Sequence, residues 1–213
     1  MGRSFAINRR ALLARAWPAA AKISAGLMLL QSNAQAGGQV EEPLIDSVRS
    51  ALSSAIHQSA PPVPTFAQEN ARLQYERWLE IMSDRLRRRK ADALEHKDFL
   101  PTVWYESKRA GLDVALVLGL IQVESNFRKF AISSAGARGY MQVMPFWTRL
   151  IGDGDPGTLF HMQTNLRFGC VILRHYLDTE NGDLFLALGR YNGSRGQRPY
   201  PDAVLAARRG WEL

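Results

Sequence analysis

The chain has 213 residues, 46% of them hydrophobic, with one cysteine and a formal net charge of +7. That length suits one ordinary domain with some additional elements and is short for two, and the lone Cys170 excludes an internal disulfide. Arg3, Arg9, Arg10, Arg15 and Lys22 fall within the first 36 positions with no acidic residue among them, so the remainder carries only +2 and lacks the persistent basic surface that nucleic-acid binding requires.

Those first 36 residues have the order of an export signal: a basic start, an apolar stretch over 16–30 interrupted by Lys22, and then Ala34-Gln35-Ala36. Cleavage after Ala36 is expected, and Lys22 with its small neighbours makes the apolar run poor as a permanent span. Asn8-Arg9-Arg10-Ala11-Leu12-Leu13 also resembles a twin-arginine signal. With no cysteine at the cleavage site, a periplasmic protein without a stable membrane anchor is expected.

Residues 37–65 are small, polar and proline-bearing, with Pro61, Pro62 and Pro64 close together, which predicts a linker with one short helix near 44–56. From Phe66 the pattern changes. Tyr75, Leu79, Met82 and Leu86 fall on one helical face, widened by Trp78 and Ile81, so 66–95 reads as an amphipathic helical segment. Its run from Arg85 to Lys90 is offset by Glu69, Glu76, Glu80 and Asp84 and predicts a solvated helix face rather than a polyanion patch.

A catalytic-type domain is expected over 96–213. A helix over 99–109 stops at Ala110-Gly111, and Asp113 is placed to cap a helix over 114–125 that is apolar all round. Residues 133–145, with Gly136, Gly139 and Pro145, predict an irregular loop or small β-hairpin before a further helix. Helices over 165–177 and 183–191 follow, the second capped by Asp183. The fold class is mainly α.

Glu124 emerges at the exit of the apolar helix. Burial there would keep a carboxyl protonated towards neutral pH, as a general acid requires, whereas the plainer reading is a helix-end glutamate in a structural hydrogen bond. The wider constellation favours chemistry: Glu124-Ser125-x-Phe127, then Ser133-x-x-Gly136-Ala137-x-Gly139-x-Met141-Gln142-x-Met144-Pro145, then Asn165-x-x-x-Gly169, then Ala187-x-x-x-Tyr191-Asn192. Together, across roughly 99–200, these motifs resemble the soluble lytic transglycosylase family of lysozyme-like enzymes.

That resemblance implies a mainly α, α+β lysozyme-like fold with a catalytic cleft, and peptidoglycan as substrate. It implies Glu124 as the single acid/base, which protonates the bond between N-acetylmuramic acid and N-acetylglucosamine and then deprotonates the muramoyl C6 hydroxyl to leave a 1,6-anhydro end. Ser133 and Gln142 match residues lining the sugar site, Met141 matches the saccharide floor, Tyr191 matches a tyrosine whose hydroxyl contacts the glutamate, and Asn192 matches a residue that shapes the cleft. No cofactor and no metal are implied. The chain departs from the pattern at Tyr140, where the family usually has leucine, and at Leu188-Gly189-Arg190, where smaller residues are commoner.

Three other functions remain open on the sequence. A lysozyme-type muramidase would need a base such as Asp153 or Asp155, although these residues read first as part of a turn-rich loop. A cysteine peptidase would need Cys170 with His161 or His175, yet Cys170 falls on the apolar stripe of a helix. A non-catalytic peptidoglycan-binding module would leave Glu124 without work. Whether the protein serves a cell-envelope machine is not legible in the residues.

Overall fold

The protein is described here from a computed structural model, which places Ser50 and residues 63–89, 98–151 and 154–213. The expected leader, nearly all of the expected linker, residues 90–95 and Asp153 lie outside the described residues. Seven α-helices are described between Glu69 and Arg209: α1 (Glu69–Arg89), α2 (Phe99–Arg109), α3 (Val114–Ser125), α4 (Phe146–Ile151), α5 (Met162–Thr179), α6 (Leu184–Asn192) and α7 (Pro199–Arg209). A 3-10 turn, Pro156–Phe160, precedes α5. No helix among the described residues is long and apolar enough to cross a membrane.

Helix α3 is the axis of the fold. Its N-terminus is closed by the Asp113 carboxylate, which accepts from the Leu116 amide at 2.8 Å and so satisfies one of the free N–H groups of the first turn. Val117, Leu118, Leu120 and Ile121 are fully buried, because neighbouring helices cover the segment on nearly every side. Helix α7 lies against it. A β-carbon at Gly119 would come within 2.6 Å of the Arg208 amide nitrogen, so the absence of a side chain sets the close approach of the two helices.

Helix α1 buries Trp78, Met82 and Leu86 at four-residue steps, as its periodicity predicts. Its charged run divides. Arg87 pairs with Asp84 at 2.7 Å on the exposed face, as expected. Arg85 instead reaches the far end of the chain and donates to the carbonyls of Gly210 (3.2 Å) and Glu212 (2.5 Å), while Arg89 lies 5.1 Å over the ring of Trp211. The solvated-face expectation is therefore corrected for these two residues, whose partners lie more than a hundred positions away and are brought to α1 only by tertiary packing.

Between α3 and α4 the chain forms the expected small β-like region. It consists of two isolated antiparallel bridges, Ile132 with Arg138 and Arg138 with Val143. Asn165 of α5 fastens this lip to the helical body: its Oδ1 accepts from the Met141 amide at 2.8 Å, and its Nδ2 donates to the carbonyls of Arg138 (2.8 Å) and Leu159 (2.9 Å). Gly139, at φ +77, leaves the space this amide fills, since a β-carbon there would sit 2.3 Å from Asn165 Nδ2.

Candidate active site

Glu124 stands one residue before the end of α3. Asn126 (φ 48) and Phe127 (φ 61) follow in the left-handed region, so the chain turns sharply just beyond the carboxylate. Burial of Phe127 against Trp211 and Phe99 anchors that uncommon geometry. Glu124 is buried, 8% exposed as a residue. Its Oε1 accepts a hydrogen bond from the Tyr200 hydroxyl at 2.5 Å, while Oε2 is buried with no partner among the described residues.

Desolvation dominates the electrostatics. It pushes the Glu124 carboxyl from 4.5 up to about 8, against the opposing pull of the Tyr200 hydrogen bond. The acid is therefore mostly protonated at neutral pH. Tyr200, itself buried, is held well above its ordinary value by burial first and then by the nearby Glu124, so it stays a neutral donor whichever form the glutamate takes. One carboxyl oxygen is thus occupied by a permanent donor, and the other is left to exchange a proton.

Most of the motif residues build the lip between α3 and α4. The Ser133 hydroxyl oxygen accepts from the Ala137 amide at 3.0 Å and closes the turn that Gly136 makes at φ +87. Gln142, itself at φ 49 and buried, donates through Nε2 to the carbonyls of Ala131 (3.1 Å) and Gly139 (2.9 Å), so both amide protons are committed to holding the lip. Asn192 ends α6, where its Oδ1 accepts from the Ser194 hydroxyl at 3.0 Å. Gly193, at φ +81, provides the left-handed cap.

Two expected positions are corrected. Tyr191 donates its single hydroxyl proton to the Met141 carbonyl at 2.8 Å, and the tyrosine that hydrogen-bonds Glu124 is Tyr200. The reason is geometric: the loop after α6 brings the start of α7 over the end of α3, and Tyr191 beneath it supports the lip. Met141 is fully buried, with its side chain filling the space left by Gly169 of α5, so it lies below the site surface and not on a floor that a sugar would touch.

Tyr200 sits between Pro199 and Pro201 in the first turn of a helix, and the only local signal there is that proline favours helix starts. Nothing in its neighbours announces a partner 76 positions earlier. At the departures from the family pattern, Tyr140 is buried against Phe99 at 4.9 Å, and the partly exposed Arg190 of Leu188-Gly189-Arg190 pairs with Glu180 at 2.6 Å. Arg195 joins the same carboxylate at 2.7 Å, holding it down to about 2 and pinning the loop that leads to Tyr200.

Two rival readings would use Cys170 and Asp155, while Asp153 lies outside the described residues. Cys170 is fully buried in the core, and burial, with Glu106 nearby, pushes its thiol far above the reactive range. Asp155 accepts from the Gly157 amide at 2.7 Å and so caps the 3-10 turn. Among the described residues no three His, Cys, Asp or Glu side chains cluster to hold a metal ion.

Residues 102–200 match the family model described as Transglycosylase SLT domain. Over that stretch the chain is similar to a transglycosylase SLT domain. The matched stretch runs from α2 to the first turn of α7 and so includes both Glu124 and Tyr200.

Among curated proteins, the chain is 34% identical over 119 residues to membrane-bound lytic murein transglycosylase C of Histophilus somni (strain 2336), covering 49% of this chain and 33% of that protein. It is 51% identical over 47 residues to the protein of the same name in Glaesserella parasuis serovar 5 (strain SH0165), covering 22% of this chain and 13% of that one. The chain thus spans about a third or less of the length of these relatives. A solved structure of an inactive mutant of lytic transglycosylase Slt from Pseudomonas aeruginosa superposes with a TM-score of 0.42 at 18% identity, covering 82% of this chain and 36% of that one.

Proposed function

We propose that this protein is a lytic transglycosylase that cleaves the β-1,4 bond between N-acetylmuramic acid and N-acetylglucosamine in peptidoglycan, with Glu124 as sole acid/base. The observation that carries the reading is the state of Glu124: buried, protonated at neutral pH, bonded to Tyr200 through one oxygen and unpartnered at the other. The SLT domain match and the relatives named as murein transglycosylases support the same reaction.

Glu124 gives its proton to the glycosidic oxygen as the C1–O4 bond breaks and N-acetylglucosamine leaves. The substrate's acetamido oxygen stabilises the positive charge at C1. The carboxylate then takes the proton of the muramoyl C6 hydroxyl as that oxygen bonds to C1, which closes the 1,6-anhydro ring and restores the acid. Tyr200 donates to Oε1 throughout. No water enters the balance, so no second carboxylate is needed.

Ser133, Gln142, Met141, Tyr191 and Asn192 act in this reading by shaping the lip and cleft, with the Ser133 hydroxyl proton and the Gln142 carbonyl oxygen left for sugar contacts. Residues 1–36 are a cleavable export signal, 37–65 a linker, 66–95 a helical segment and 96–213 the catalytic domain, and the mature protein works in the periplasm. The basic leader and Ala34-Gln35-Ala36 support that route.

The test is mass analysis of digests of purified sacculi. The wild type is expected to release muropeptides one water lighter than hydrolytic products, and Glu124→Gln is expected to release none while remaining folded and bound to the glycan. Digests containing only reducing muramoyl ends would replace this reading with a muramidase.

A further inference from the structure

An open cavity of about 490 Å³ lies at the other end of α3 from Glu124, where Val114 and Ala115 form part of its wall. Val114 and Glu124 are ten residues apart on one helix, or about 15 Å at the α-helical rise. Five aromatic residues line the cavity, Phe66, Tyr75, Trp78, Trp104 and Trp211. Tyr75 and Trp78 lie nearly parallel on α1, with centroids 6.1 Å apart and planes at 23°, while Trp104 of α2 meets Tyr75 edge-on at 4.9 Å and Phe66 covers Tyr75 at 5.3 Å. The mouth carries the exposed polar side chains of Gln74 and Lys108.

A protein interior closes around aromatic rings at the density of an organic crystal, so an open hollow lined by five of them is unlike core and has the composition of a ligand site. The acids at the rim are already engaged, since Asp113 and Glu212 face Arg208 at 3.1 and 3.3 Å. Lys108 makes no ion pair among the described residues and leaves an uncompensated positive charge beside the rings. The fitting ligand has apolar faces for the rings, hydroxyl or amide groups for Gln74, and a carboxylate within reach of Lys108.

We propose that this cavity is a second glycan-binding site, remote from the cleavage site, which takes an amino-sugar unit of peptidoglycan. The pyranose C–H face stacks on the aromatic wall, and Lys108 faces carboxylates carried by the muramic-acid substituents. The proposal rests on peptidoglycan being the substrate. Because α3 spans both sites, a strand held in the cavity raises the local concentration of glycan at Glu124, an advantage that only a long or surface-bound polymer can use.

The test uses the full chain in two assays. Carrying Glu124→Gln, it is pelleted with purified sacculi; with Glu124 intact, it is assayed on sacculi and on a soluble peptidoglycan tetrasaccharide. Trp104→Ala is expected to weaken retention on sacculi roughly tenfold, equivalent to about 1.4 kcal/mol. Lys108→Glu, an exposed change that leaves the core intact, is expected to weaken it roughly threefold, within the range of exposed charge pairs.

Both variants should release muropeptides from sacculi more slowly and cleave the tetrasaccharide at the wild-type rate. Unchanged retention by Lys108→Glu and Trp104→Ala overturns the proposal, as does an equal loss on both substrates. Retention that disappears once an amidase has stripped the peptides overturns the glycan assignment. A wild type that makes no anhydro product from either substrate refutes the catalytic reading instead, while the pelleting assay still reports on the cavity.

Discussion

At the scale of single residues, the chemistry turns on a carboxyl that folding makes reluctant to ionise. The acid must be protonated to act, so kcat/KM is expected to fall as pH rises through about 8. Tyr200→Phe removes a hydrogen bond that favours the ionised form, so the alkaline limb should move to higher pH while kcat drops roughly tenfold, the scale of one orienting bond. A pH–rate profile of the variant reads both effects, and an unmoved limb would exclude Tyr200 from the acid's environment. The same burial links stability to pH. Between about 4.5 and about 8 the folded state holds a proton that the unfolded state has released, so stability is fully present below that window and declines across it. Glu124→Gln removes this dependence, and thermal melts should show the variant gaining on the wild type as pH rises, with little difference in acid.

At the scale of elements, catalytic geometry depends on how closely α7 rests on α3. Gly119 is the point of contact, and Gly119→Ala would drive a methyl group into the backbone around Arg208. Overpacking of this kind costs about 1–3 kcal/mol, and it should also lift Tyr200 from Glu124 because both sit on the helices being separated. The expected result is a folded but less stable protein whose kcat falls more than its glycan binding weakens, measured by melts and by steady-state turnover. Helix α3 was legible from its Asp113 cap and its unbroken apolar run, and α1 from its periodicity. Helix α7 was not, because Pro199 and Pro201 in its first turn read as breakers and its burial comes from the partner it meets.

At the scale of the whole molecule, α2 and α5 are joined through a fully buried ion pair. Arg167 donates to Glu106 through Nε at 2.7 Å and Nη2 at 2.8 Å, and both side chains are essentially sealed from solvent. Arg167→Met would strand a carboxylate in the core, a change that costs about 3–5 kcal/mol. Denaturant unfolding should show that loss, and adding Glu106→Gln should restore most of it, because an uncharged pair carries no desolvation debt. The pair acts on Cys170, and the side chain that acts on Glu124 is Tyr200, so the surviving folded fraction should keep wild-type specific activity.

The sequence alone determined the helical class, the capped apolar helix that ends in Glu124, the irregular lip and the motif order that points to a transglycosylase SLT domain. These features are written in local periodicity, in capping residues and in glycines whose backbone must turn. Tertiary structure alone decided which tyrosine meets the glutamate, that Met141 lies beneath the site surface, and that Arg85 and Arg89 serve the end of the chain instead of solvent. Each depends on a contact between residues 28 or more positions apart, and side-chain chemistry is the same whether a tyrosine faces a carboxylate or a carbonyl. The raised pKa of Glu124 belongs to the same class, since desolvation is a property of everything packed around a group and not of the group's neighbours in the chain.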